Sequence, residues 1–121
     1  MEHKKALIVD DETDTCFLLK SILKQMDYDA SFVNSLNEAD RQLQKELPDV
    51  IFLDNHLKDG VGIDYIPYIR DHYPEVKVIL ITAFDTPVYR KQASENGADH
   101  FLGKPFSRKI INEALETIFT N

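Results

Sequence analysis

Three short stretches of this chain, residues 6–9, 50–53 and 76–81, are apolar at nearly every position. A strand with one face in water alternates apolar and polar residues. An uninterrupted apolar run belongs to a strand covered on both faces. Such strands need helices on both sides of their sheet, and the intervening sequence supplies them. Residues 14–26 carry Leu19, Ile22, Leu23 and Met26 at helical spacing. Ser35 and Glu38 stand as a capping-box pair ahead of a helix with Leu36, Ala39, Leu43 and Leu47 on one side, closed by Pro48. Ile63, Ile66 and Ile69 recur at spacing three, but Pro67 sits among them. That predicts a helix that starts late, near Asp64, or one kinked in its first turns. Thr86-Pro87 and Asn96-Gly97 read as the start and stop of another helix. Ser107 opens the last, with Ile110, Ile111, Ala114, Leu115 and Ile118 on its apolar side.

Residues 28–33 form a weaker, polar-interrupted strand suited to an edge, and residues 98–102 form the last strand. Five βα units follow in order. Right-handed crossovers make them an α/β domain, a doubly wound parallel five-stranded sheet with helices on both faces. Ligands of such sheets bind at the C-terminal ends of the strands, where the strand order reverses.

The chain has 121 residues, and its length and 43% apolar content fit one domain spanning residues 1–121. The formal net charge of −7 argues against direct nucleic-acid binding. Cys16 is the single cysteine, so no internal disulfide forms. The run at residues 6–9 is too short for a signal sequence or a membrane span. A cytoplasmic domain with no membrane partner is the expectation.

The polar residues that end the strands carry the chemistry. Asp10 and Asp11 follow the first strand, Asp54 the third, Thr82 the fourth and Lys104 the fifth. On a parallel sheet all five meet at one edge. Three carboxylates held that close repel, so one takes up a proton or a cation binds among them. A lone aspartate after a strand is usually a helix cap and a lone Lys-Pro usually a turn. The joint pattern is far harder to reach by accident.

With these residues in place the chain resembles the receiver domains of two-component response regulators. The resemblance runs from Ala6 to Phe119. Val9-Asp10-Asp11, Leu53-Asp54, Ile81-Thr82-Ala83, Phe101 to Phe106 and Gly62, eight residues after Asp54, carry it. It implies a flavodoxin-like sheet of order 2-1-3-4-5. It implies that Asp54 is the phosphoacceptor for a sensor histidine kinase or a histidine phosphotransfer protein. Asp10, Asp11, Asp54 and the backbone carbonyl of His56 would hold Mg2+, or Mn2+ in its place. Lys104 would pair with the phosphoryl group, its bond to Pro105 being cis. Thr82 would turn its hydroxyl toward the phosphoryl group, small Ala83 would leave access, and Phe101 would move from an exposed to a buried rotamer. The implied role is a phosphorylated switch rather than an enzyme. Its output runs through the fourth helix, fifth strand and fifth helix to a partner or an effector domain, with homodimerisation through that face open.

The chain departs from the family at Lys58, which replaces a common proline. With Gly60, this points to a looser loop and a second cation near the acceptor. His56 and Phe84 flank the path of attacking water, and Phe84 is expected to shield the phosphoryl group. Two other functions compete. A metal-dependent phosphohydrolase wants Asp-x-Asp-x-Thr after the first strand, which Asp10-Asp11-Glu12-Thr13 does not match. A phosphate-independent pseudo-receiver is expected to have lost an acid or the lysine. A zinc site at His56 lacks companion ligands. Glu12 and Asp14 fit a helix N-terminus without a ligand role.

Overall fold

The computed structural model describes residues 3–120. Strands β1 (Lys5–Val9), β2 (Asp29–Val33), β3 (Val50–Asp54), β4 (Lys77–Thr82) and β5 (His100–Gly103) pair in parallel in the order β2-β1-β3-β4-β5. Helices α1 (Thr13–Gln25), α2 (Leu36–Lys45), α3 (Gly62–His72), α4 (Pro87–Asn96) and α5 (Arg108–Phe119) connect them or close the chain. This is the flavodoxin-like arrangement expected from the sequence.

Successive residues of each central strand feed opposite layers, as the period of two requires. Ile8, Phe52, Ile79 and Ile81 pack with Leu19 and Leu23 of α1 and with Ile111 and Leu115 of α5. Leu7, Val9, Ile51, Leu53, Val78 and Leu80 pack with Leu43 of α2, Ile66 and Ile69 of α3 and Ala93 of α4. Both faces of the sheet are thus dry, which is why β3 is buried at every position. Truncating a fully buried leucine or isoleucine of this kind to alanine costs about 2–5 kcal/mol. β2 pairs on one side only and is partly exposed, as its polar interruptions foretell.

Local signals set most boundaries. Thr86 and Ser107 accept hydrogen bonds from Tyr89 N and Ile110 N, and Gly97 ends α4 with φ 107°. Three details differ from the sequence reading. α3 starts at Gly62 and runs through Pro67 without a break. The carbonyl that Pro67 leaves without a helical donor, that of Ile63, accepts from Asn96 Nδ2 at 2.9 Å instead. Ser35 caps α2 through Glu38 N, but the Glu38 carboxylate accepts from Asn34 N rather than closing the box on Ser35. Leu47 and Ile110 lie outside the core, 42% and 41% exposed, because each falls at or beyond the edge of its helix's buried face. Among the described residues, no helix is long and apolar enough to cross a membrane.

Candidate functional site

Strand register brings the polar strand ends together. Val9 lies beside Leu53, Asp54 beside Ile81, and Thr82 beside Gly103. The reversal of strand order falls between β1 and β3, where Asp10, Asp11 and Asp54 emerge. The structure therefore gathers at one edge all five residues that the sequence placed there. Asp10 and Thr82 are fully buried and Asp54 is 4% exposed.

Lys104 lies among the acids. Its Nζ is 2.7 Å from Asp10 Oδ2, 2.8 Å from Glu12 Oε1 and 3.3 Å from Asp54 Oδ1. Its backbone N donates to the Thr82 carbonyl at 2.7 Å, and its bond to Pro105 is cis, as expected. Burial works against the ammonium, but Asp10, Glu12 and Asp54 outweigh it and hold Lys104 above the ordinary lysine range. Asp54 is driven the other way. Burial first, then the negative charge of Asp10, push its carboxyl up to about 6, and Lys104 opposes this without prevailing. One ammonium is too little positive charge for so many carboxylates.

The donor set fits a hard divalent cation. Asp10, Asp11 and Asp54 each offer a carboxylate oxygen, all within 4.8 Å of one another. Asp10 Oδ2 is buried against the Lys104 ammonium at 2.7 Å. All the donors are oxygens, which suits Mg2+ and gives a soft metal nothing to hold.

The residues that follow Asp54 and Thr82 in the chain make contacts of their own. Thr82 Oγ1 accepts from Phe84 N at 3.1 Å. Ala83 is exposed. Phe84 is 58% exposed and its ring meets the His56 ring edge-on at 5.1 Å. The Tyr89 ring also lies edge-on to His56, at 6.0 Å. The His56 ring thus joins an aromatic cluster with Phe84 and Tyr89. Phe101 occupies its inward position, 8% exposed, with the Arg90 guanidinium 4.8 Å over its ring. Arg90 in turn is paired with Asp85 at 2.6 and 2.8 Å.

The segment after Asp54 is better pinned than Lys58 and Gly60 suggested. His56–Leu57 and Gly60–Val61 form a two-residue antiparallel ribbon. Asn55 closes the turn: its carbonyl accepts from Gly62 N at 2.9 Å and its side chain from Ile63 N at 3.0 Å. At Gly62 a Cβ would fall 2.3 Å from the Asp54 carbonyl oxygen, so only glycine fits. Asp59 reaches away to α2, accepting from Leu36 N at 2.9 Å and Asn37 N at 3.0 Å. Lys58 is left exposed at the tip.

Sequence reasoning missed Glu12 and Asn34. Glu12 stands at the N-terminus of α1, as expected, yet it also holds Lys104. Asn34 donates from Nδ2 to the Asp10 carbonyl at 2.9 Å. Nothing local in the chain marks either contact.

The chain is similar to known proteins over nearly its whole length. A family model described as the response regulator receiver domain matches residues 6–116. The response regulator protein PilR of Pseudomonas aeruginosa is 37% identical over 117 residues, covering 97% of this chain and 26% of that protein. The alkaline phosphatase synthesis transcriptional regulatory protein PhoP of Bacillus subtilis is 32% identical over 116 residues, 96% of this chain and 48% of that protein. The chain thus spans about a quarter and about half the length of these relatives. A response regulator protein from Burkholderia pseudomallei was solved with a phosphorylated aspartic acid, calcium ion and citrate. It superposes with a TM-score of 0.87 at 26% identity, covering 98% of this chain and 68% of that one.

Proposed function

The chain belongs to the response regulator receiver domain family of two-component systems, and from that premise we propose that it is a phosphoryl-accepting switch with Asp54 as acceptor. One observation carries the reading: the Asp54 carboxylate sits beside Lys104 and shares a three-acid cluster with Asp10 and Asp11, with Thr82 buried at the neighbouring strand end. The Burkholderia relative with its phosphorylated aspartic acid and calcium ion supports it.

In this reading an Asp54 oxygen attacks the phosphorus of a phosphohistidine on a sensor kinase or phosphotransfer protein. The P–N bond breaks, the electron pair returns to the imidazole, and an acyl phosphate is left on Asp54. Asp10, Asp11, Asp54 and the His56 carbonyl would hold Mg2+. The cation supplies charge neutralisation for the acids and the incoming phosphoryl oxygens. Lys104 contributes a positive charge already positioned 3.3 Å from Asp54. Thr82 Oγ1 turns from Phe84 N toward a phosphoryl oxygen, and Phe84 shields the product from water. The added charge, about −1.5 to −2, then biases the loops after β4 and β5. The α4–β5–α5 face passes that change to an output partner or effector domain. The chain is a signalling element that turns over no substrate of its own.

The test is to incubate the protein with Mg2+ and acetyl phosphate, then weigh it intact. One added phosphoryl group is expected, absent in Asp54→Ala. A folded protein that gains no mass, with a phosphohistidine donor also tried, is instead a phosphate-independent binding module. Steady turnover of unrelated phosphoesters makes it a hydrolase.

A further inference from the structure

The Asp10 carbonyl, at the end of β1, is taken by two side chains from different elements. Asn34, in the turn between β2 and α2, donates Nδ2 at 2.9 Å. Cys16, buried in α1, donates its thiol at 3.3 Å. The Asn34 amide also lies 4.0 Å from the Cys16 sulfur. Only the NH2 end of an amide can face a carbonyl, so the orientation of Asn34 is fixed by this contact. Asp10 is held elsewhere too: its N donates to the Val33 carbonyl at 3.1 Å, and its Oδ1 accepts from Glu12 N at 2.9 Å.

The peptide that begins at the Asp10 carbonyl ends at the Asp11 nitrogen, and it is planar. Turning that carbonyl rotates ψ of Asp10, and wherever φ of Asp11 does not compensate fully, the Asp11 carboxylate swings relative to that of Asp10. A carbonyl stripped of its donor turns toward water. Asn34 does not cap α2. Ser35 does that, and the Asn34 backbone N–H is held separately by Glu38 at 2.9 Å. The Asn34 side chain is thus free of the local duties expected of an asparagine at a helix start.

We propose that Asn34 is a positioning residue for the cation site: its amide, seconded by the Cys16 thiol, fixes the Asp10–Asp11 peptide and so sets divalent-cation affinity. This rests on the cation reading above. Asn34 touches neither the cation nor the phosphoryl group; it acts through Asp10. Partners one step behind metal ligands typically change affinity 10–100-fold.

The experiment titrates the full chain with Mn2+ and reads free Mn2+ by electron paramagnetic resonance. Unfolding midpoints are measured separately in EDTA. Asn34→Ala and Asn34→Leu, the second keeping bulk without a donor, are expected to raise the Mn2+ Kd about tenfold or more. Their metal-free midpoints should stay near the parent's. Cys16→Ala weakens binding less, and Cys16→Ser, which keeps a donor, restores it. The cysteine pair carries the test if an Asn34 variant unfolds. A Kd within about twofold of the parent in the folded Asn34 variants, or in Cys16→Ala where those unfold, overturns the proposal. A parent that fails to bind Mn2+ at all overturns the cation reading itself, and the proposal with it.

Discussion

Asn96 donates its side-chain amide to the Ile63 carbonyl at 2.9 Å, supplying from α4 the hydrogen bond that Pro67 removes from α3. The two substitutions should therefore be coupled. Asn96→Ala leaves the carbonyl unpaired and should cost about 1–2 kcal/mol in denaturant unfolding. In a Pro67→Ala background the helix regains its own donor, and the same change should cost clearly less. Additivity within about 0.5 kcal/mol would show that Asn96 is not that carbonyl's replacement donor.

Asp59 ties the segment after Asp54 to the first turn of α2, where two backbone N–H groups would otherwise lack partners. Their hydrogen bonds, from Leu36 foremost, hold its carboxyl below the usual carboxylate range. Asp59→Ala is expected to lower stability near pH 7 by about 1 kcal/mol or less, given its exposure. A depressed carboxyl contributes above its unfolded value and loses that contribution as pH falls. The gap between parent and variant should therefore shrink toward pH 3. A gap that does not change with pH would deny the carboxylate this role.

Asp54 behaves oppositely. Its carboxyl is pushed up to about 6 by burial and by Asp10, so between about pH 4 and 6 the folded chain binds more protons than the unfolded one. Stability of the metal-free protein should fall as pH rises through that window. Asp54→Asn removes the penalty and should be more stable by about 1–3 kcal/mol near pH 7 in EDTA, with no advantage near pH 3. Added Mg2+ should narrow the gap by stabilising the parent. A less stable variant near pH 7 would contradict this.

Phe84 stands edge-on to His56 beside the acceptor, with most of its ring in solvent. Phe84→Ala should shorten the lifetime of phosphorylated protein severalfold by opening the path of attacking water. Quenched time points weighed intact measure it. An unchanged or longer lifetime removes Phe84 from any shielding role.

The fold was legible because its signals are local or periodic. Dry strands, caps at Thr86 and Ser107, and the stop at Gly97 are each written within a few residues. The strand-end acids were legible because parallel pairing sends every such end to the same edge. Glu12 on Lys104 was not, since the partners are 92 positions apart and a glutamate at a helix start already has a sufficient local explanation. Asn34 was hidden for the same reason. The stiffness of residues 55–62 was also hidden, because Lys58-Asp59-Gly60 reads as a loose turn until α2 is seen to receive Asp59. The start of α3 at Gly62, ahead of Pro67, is not legible either, because Asn96, far along the chain, replaces the missing donor.

The fit of Gly62 against the Asp54 carbonyl has a mechanical meaning. Helix α3 begins at that glycine, with its first N–H groups held by Asn55 and no room between its backbone and the acceptor's. α3 cannot slide along its axis without carrying the Asp54 backbone with it. A load applied at the far end of the helix, near His72, should be felt at Asp54 as a displacement.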